Sequence, residues 1–130
     1  MTKVGLFNGI FGKSDNQSGP KLQWNYLETM EDLDAAEAIS KEKWVVLFKH
    51  STRCSVSRYV LKQFENTFIG SDDVELYFLD LIEYRLISNE IASRFNVIHQ
   101  SPQMIVLKNG VAIYNASHES IDANNIKQLV

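Results

Sequence analysis

The chain has one cysteine among its 130 residues, Cys54. That excludes an intrachain disulfide and any zinc site built from several cysteines. Redox work by Cys54 therefore needs a sulfur from outside the chain. Long hydrophobic runs are absent: Trp44 to Phe48 is far too short to span a bilayer. An excess of basic charge is also missing. With a net charge of −3 and a pI of 5.6, wholesale binding of nucleic acid or of an anionic membrane is not expected. No internal repeat is visible, and no small-residue cleavage site follows Met1 to Gly12. A secretory signal is thus not expected, and a reducing cytoplasmic setting, which suits a free thiol, is the default. What is present is ordinary for a globular protein: 45% hydrophobic and 22% charged residues in 14.9 kDa. A chain of this size forms one domain and buries roughly two-thirds of its unfolded surface, enough for a single core.

Residues 1–20 read as a tail and flexible connector. Leu6, Phe7, Ile10 and Phe11 are its apolar part, and Lys13 to Pro20 its polar one. From residue 21 onward two periods alternate. Leu22, Trp24 and Tyr26 alternate with polar residues as a short strand. Glu28 to Lys41 is rich in helix formers, with Met30, Leu33, Ala36 and Ile39 as its apolar face. Trp44 to Phe48 reads as a central strand buried on both faces. Val56, Val60, Phe64 and Phe68 recur every fourth residue, giving a helix from about Cys54 to Phe68. Val74 to Asp80 is another strand, and Leu86 to Phe95 a third helix. Met104 to Leu107 and Val111 to Tyr114 flank Asn109-Gly110, the strongest short hairpin signal. Ser120 to Val130 closes the chain as a helix, with Ile121, Ile126 and Leu129 turned inward. The expected architecture is α/β, in the order β-α-β-α-β-α-β-β-α: a mixed central sheet with helices on both faces.

In such sheets the default site is the carboxyl end of a central strand that leads into a helix. The only cysteine lies there, in Lys49-His50-Ser51-Thr52-Arg53-Cys54-Ser55-Val56-Ser57-Arg58. First-turn amides have no intrahelical acceptor and favour an anion by about 0.3–1 kcal/mol. Lys49, Arg53 and Arg58 add positive charge, and no acidic residue falls between Lys49 and Arg58. Ser57 and Arg58 share the helical face of Cys54, so Ser57 is expected to donate a hydrogen bond to a sulfur anion. These features favour a reactive thiolate over a small buried hydrophobe. A second feature is Ser101-Pro102-Gln103, where a proline just before a strand removes a ladder donor.

A thiol at the start of a helix after the central strand, with Ser101-Pro102 before the terminal hairpin, resembles the thioredoxin fold. The resemblance implies that the Ser101–Pro102 bond is cis and that Pro102 faces Cys54. Three stretches carry a closer likeness: Phe48 to Ser57, His99 to Gln103, and Ala116-Ser117-His118. Together they resemble the monothiol bacilliredoxins, over the chain from about Trp24 to its end. That family often has proline after the cysteine, where this chain has Ser55.

The likeness implies that Cys54 removes bacillithiol, a low-molecular-weight thiol, from bacillithiolated client proteins. No bound cofactor is implied, and bacillithiol is the co-substrate. Lys49, Arg53 and Arg58 would be a landing patch for its carboxylates. Thr52, Ser101, Pro102, Ser117 and His118 would line the groove. Two other readings stand beside this one. A monothiol glutaredoxin would use glutathione, but Ser55-Val56-Ser57 and Asn115 to His118 replace its usual glycine-containing motifs. A thioredoxin-like interaction module would leave the thiol idle. His50, His99 and His118 show no metal-ligand spacing, so no metal site is expected.

Overall fold

The structure, a computed structural model, describes residues 22–130. The tail and connector expected over 1–20 lie outside them. Among the described residues the elements are β1 (Trp24–Tyr26), α1 (Met30–Ile39), β2 (Trp44–His50), α2 (Ser55–Thr67), β3 (Val74–Asp80), α3 (Arg85–Arg94), β4 (Gln103–Lys108), β5 (Val111–Ser117), a 3-10 turn (His118–Ser120) and α4 (Ala123–Leu129). This is the expected order. The strands form one sheet in the order β1-β3-β2-β4-β5. Pairing is parallel for β1 with β3 and β3 with β2, and antiparallel for β2 with β4 and β4 with β5.

The alternation of side chains along β2 divides the core. Val45 and Leu47 point to one face, where they meet Leu33 and Ala36 of α1 and Ile87 and Ile91 of α3. Val46 and Phe48 point to the other, onto Val60 and Phe64 of α2 and Ile126 of α4. All four of these β2 residues are fully buried. Such burial is worth about 1.5–3 kcal/mol for each large apolar side chain. Helices therefore cover both faces, and β2 is clamped in the middle of the sheet.

Local signals place the ends. Thr29 caps α1 in a reciprocal box: its Oγ1 accepts from Asp32 N, and the Asp32 carboxylate accepts from Thr29 N, each at 3.0 Å. Asn109 and Gly110 both have positive φ, 55° and 77°, the conformation a two-residue hairpin requires. That turn is fastened to the end of α1, since Asn109 N and Gly110 N donate to Ser40 O and Ser40 Oγ.

Two expectations need correction. Met30 is 38% exposed, because it opens the first turn of α1, outside the packed stripe. The last helix is shorter than Ser120 to Val130, since Asp122 caps it by accepting from Asn124 N. Among the described residues, no helix is long and apolar enough to cross a membrane.

Candidate functional site

Strand pairing brings three separated stretches to one end of the sheet. Lys49, next to last in β2, pairs with Gln103, the first residue of β4, and Gln103 pairs with Ser117, the last of β5. The loop after β2, the segment before β4 and the turn after β5 must therefore adjoin. A backbone bond fixes the last two, as His118 N donates to Pro102 O at 3.1 Å. The 3-10 turn that His118 begins packs against α2. The Ser101–Pro102 peptide bond is cis.

Cys54 is the N-cap residue of α2, with extended backbone dihedrals and a half-buried side chain. Its carbonyl accepts the first helical bond, from Arg58 N at 3.1 Å. Its side chain makes no capping hydrogen bond, so the sulfur sits at the open amide end of a helix without closing it. The first turn of α2 contains no acidic residue. Arg58 folds back over the loop, and its Nη1 donates to Thr52 O at 3.1 Å. Arg53, Arg58 and Thr52 are exposed, and among the described residues neither arginine pairs with a carboxylate.

Ser57 does not take the role expected of it. It is fully buried, and its Oγ accepts from Ser51 N at 3.0 Å and bonds His50 Nδ1 at 2.8 Å. The hydroxyl thus ties the loop after β2 to α2, and among the described residues it makes no hydrogen bond to Cys54. Burial pushes the His50 imidazole below its usual range, against the opposing pull of Asp80 and Glu65. Ser57→Ala would leave the Ser51 amide and His50 unsatisfied. It is expected to cost about 1–3 kcal/mol in urea unfolding, with the protein still folded.

Lys49 also departs from expectation. It shares strand parity with Val45 and Leu47, so its side chain lies on the α1/α3 face, opposite α2. The residue is fully buried. Its Nζ donates to Ser88 O at 3.1 Å and lies 3.2 Å from His99 Nδ1. Burial, with Arg85 adding to it, lowers the amine to about 8. The same group of charges, after burial, lowers the His99 imidazole. Lys49 is therefore a support beneath the site and no part of a surface landing patch.

The remaining expected residues are brought together. Ser101 and Ser117 are half-buried at the sheet end, Pro102 is buried, and His118 is exposed with φ 54°. Gln103, which sequence reasoning passed over, staples the preceding segment: its Nε2 donates to Ile98 O and its Oε1 accepts from Gln100 N. Its place directly after Pro102, at the head of the apolar run Met104 to Leu107, was the signal available in the sequence. The three histidines stand apart: His50 on Ser57, His99 on Lys49 and Ser88, and His118 at the surface. Among the described residues, no group of three or more His, Cys, Asp or Glu side chains is placed to hold a metal.

Comparison with known proteins fits this geometry. Residues 25–126 match the family described as monothiol bacilliredoxin BrxC. A solved structure described as a candidate oxidoreductase with a thioredoxin fold is 30% identical, with a TM-score of 0.69 over 81% of this chain and 91% of that one. The thioredoxin of Malassezia sympodialis is 18% identical, with a TM-score of 0.65 over 88% of this chain and 93% of its own. That of Fasciola hepatica is also 18% identical, with a TM-score of 0.60 over 80% and 93%. The last two show the fold alone, and the fold is that of thioredoxin.

Proposed function

From its membership of the monothiol bacilliredoxin family, to which this chain belongs, we infer that Cys54 removes bacillithiol from S-bacillithiolated proteins. A thiol redox role is common ground for the family and the fold. The observation that carries the finer reading is the site itself. One half-buried sulfur stands at the amide end of α2, beside exposed Arg53 and Arg58, with no second cysteine in the chain.

The exchange balances as follows. The Cys54 thiolate attacks the bacillithiol sulfur of the client mixed disulfide. The client–bacillithiol S–S bond breaks, and the client sulfur leaves with the electron pair and takes a proton. Cys54 now carries bacillithiol. Because Ser57 stands where a resolving cysteine would be needed, a second thiolate from outside, such as free bacillithiol, must attack that adduct. The products are then bacillithiol disulfide and free Cys54.

The carboxylates of bacillithiol suit the two arginines, while Thr52, Ser101, Pro102, Ser117 and His118 form the walls where the thiol partner lies. Val56 and Ile98, 39% and 83% exposed, leave apolar surface on the two flanking stretches for the client. The reading places the protein in a reducing cytoplasm.

The test offers the same client protein as a bacillithiol and as a glutathione mixed disulfide and follows deprotection by mass. Faster release of bacillithiol, with a single bacillithiol adduct on Cys54, is the expected result. Preference for glutathione would replace this reading with a glutaredoxin-like one. Release of neither would leave an interaction module. Arg53→Gln/Arg58→Gln is expected to slow bacillithiol release roughly three- to tenfold at low salt, an effect that fades as ionic strength rises.

A further inference from the structure

On the α2/α4 face, at the far end of α2 from Cys54, lies an open cavity of about 310 Å³. Phe68, Ile69, Val74, Ile126 and Val130 are its apolar lining. Ile69 and Val130 at the rim are 79% and 51% exposed, a poor arrangement unless something covers them. We propose that this cavity is the docking site for the chain's own N-terminal apolar segment, Leu6, Phe7, Ile10 and Phe11.

The first argument is where the described chain begins. Trp24 pairs with Leu76 in parallel register. Carried two residues back, that register sets Leu22 abreast of Val74, which lines the cavity. Leu22 itself packs against the same core cluster as Val74. The described chain therefore begins beside a strand residue that lines the cavity.

Reach and composition agree. Ten residues, Gly12 to Lys21, separate Phe11 from Leu22. Fully extended, that many residues span at most about 36 Å, whereas a 13-residue helix such as α2 is only about 20 Å long. A tether of this length sets an effective concentration on the order of millimolar, so an intrinsic affinity of only about 0.1 mM keeps the cavity roughly nine-tenths filled. The connector is polar, and the four large apolar residues are gathered beyond it. The cavity borders Thr67, at the other end of α2 from the thiol, so docking leaves Cys54 open.

The experiment uses the full chain. Wild type and Phe7→Ser/Phe11→Ser are compared by methyl NMR. In wild type, contacts are expected between the Phe7 and Phe11 rings and the methyls of Val74, Ile126 and Val130. In the variant those methyl signals shift and the melting temperature falls, while the Cys54 alkylation rate is unchanged. The reciprocal change, Ile69→Asp/Val130→Asp, alters exposed residues and is expected to abolish the same contacts in a folded protein. Coincident methyl spectra for wild type and Phe7→Ser/Phe11→Ser would overturn the proposal. So would contacts that are seen only between differently labelled molecules, which would put a second copy in the cavity. Neither outcome bears on the redox chemistry of Cys54.

Discussion

Cys54→Ser is expected to abolish thiol–disulfide exchange completely and, in the same molecule, to make the protein more stable. The first effect follows from the chemistry. The nucleophile and the atom that carries the adduct are the same sulfur, and no other cysteine can stand in for it. A hydroxyl cannot form the mixed disulfide, so the rate falls to that of the uncatalysed reaction. The second effect follows from the position. Cys54 is an N-cap residue whose side chain leaves the first-turn amides of α2 without a capping bond. Serine is among the best residues at that position, and the gain is about 1 kcal/mol. Cys54→Ala separates the two, losing exchange without that gain. Deprotection of a bacillithiolated client, read beside urea midpoints for the three proteins, checks both parts. Exchange that survives in either variant would remove Cys54 from the mechanism. A serine variant less stable than the alanine one would show that the amides are already satisfied.

The second large effect is a rise in stability on the alkaline side, owed to Lys49. Its folded amine is lowered to about 8 from 10.5, with burial the main cause and Arg85 the lesser one. Below pH 8 the folded and unfolded chains both carry the proton. Between about 8 and 10.5 the unfolded chain holds it and the folded chain does not, so unfolding takes up a proton and stability increases with pH. At 1.36 kcal/mol per pKa unit the full gain is about 3 kcal/mol. Lys49→Met removes the titrating group while keeping a long side chain among Leu47, Ser88 and His99. The measured quantity is wild-type minus variant unfolding free energy across that window. Subtraction also cancels Tyr77, whose phenol burial pushes up and whose contribution runs the other way above pH 10. A difference that stays flat from pH 8 to 10.5 would mean that Lys49 is not a buried cation. On the acid side the slope has the same sign, stability again rising with pH. His50 and His99 are both lowered, so acidification below about pH 6.5 charges them in the unfolded chain first and costs stability.

Lys49 also marks the boundary of what could be read in advance. Its cationic charge and its closeness to Cys54 in the chain pointed to the surface. The parity of β2 decides otherwise. Val45, Leu47 and Lys49 lie on one face, and a strand buried on both faces leaves no surface for a lysine in its last turns of the pleat. Ser57 is the same error on a helix. The three-residue spacing puts it on the helical face of Cys54, but its hydroxyl is engaged by the Ser51 amide and His50. β5 runs to Ser117, past the expected end at Tyr114, because Asn115 to Ser117 are held by backbone pairing with Gln103 to Ile105. Side-chain pattern carries no record of that ladder.

From the order of residues alone came the alternation of strands and helices, the Asn109-Gly110 hairpin, and a lone sulfur at the junction of the central strand with its helix. Those are local properties: periodicity, turn geometry and the identity of one atom. Tertiary structure alone decided which cations face solvent and which face the core. It also set Pro102, Ser117 and His118 at the same sheet end as Cys54. The reason is that pairing β2 with β4 joins residues more than 50 apart in the chain, with the β4–β5 hairpin then carrying Ser117 onto Gln103, and such long-range contacts are encoded in how two faces of one sheet are filled, not in any single segment.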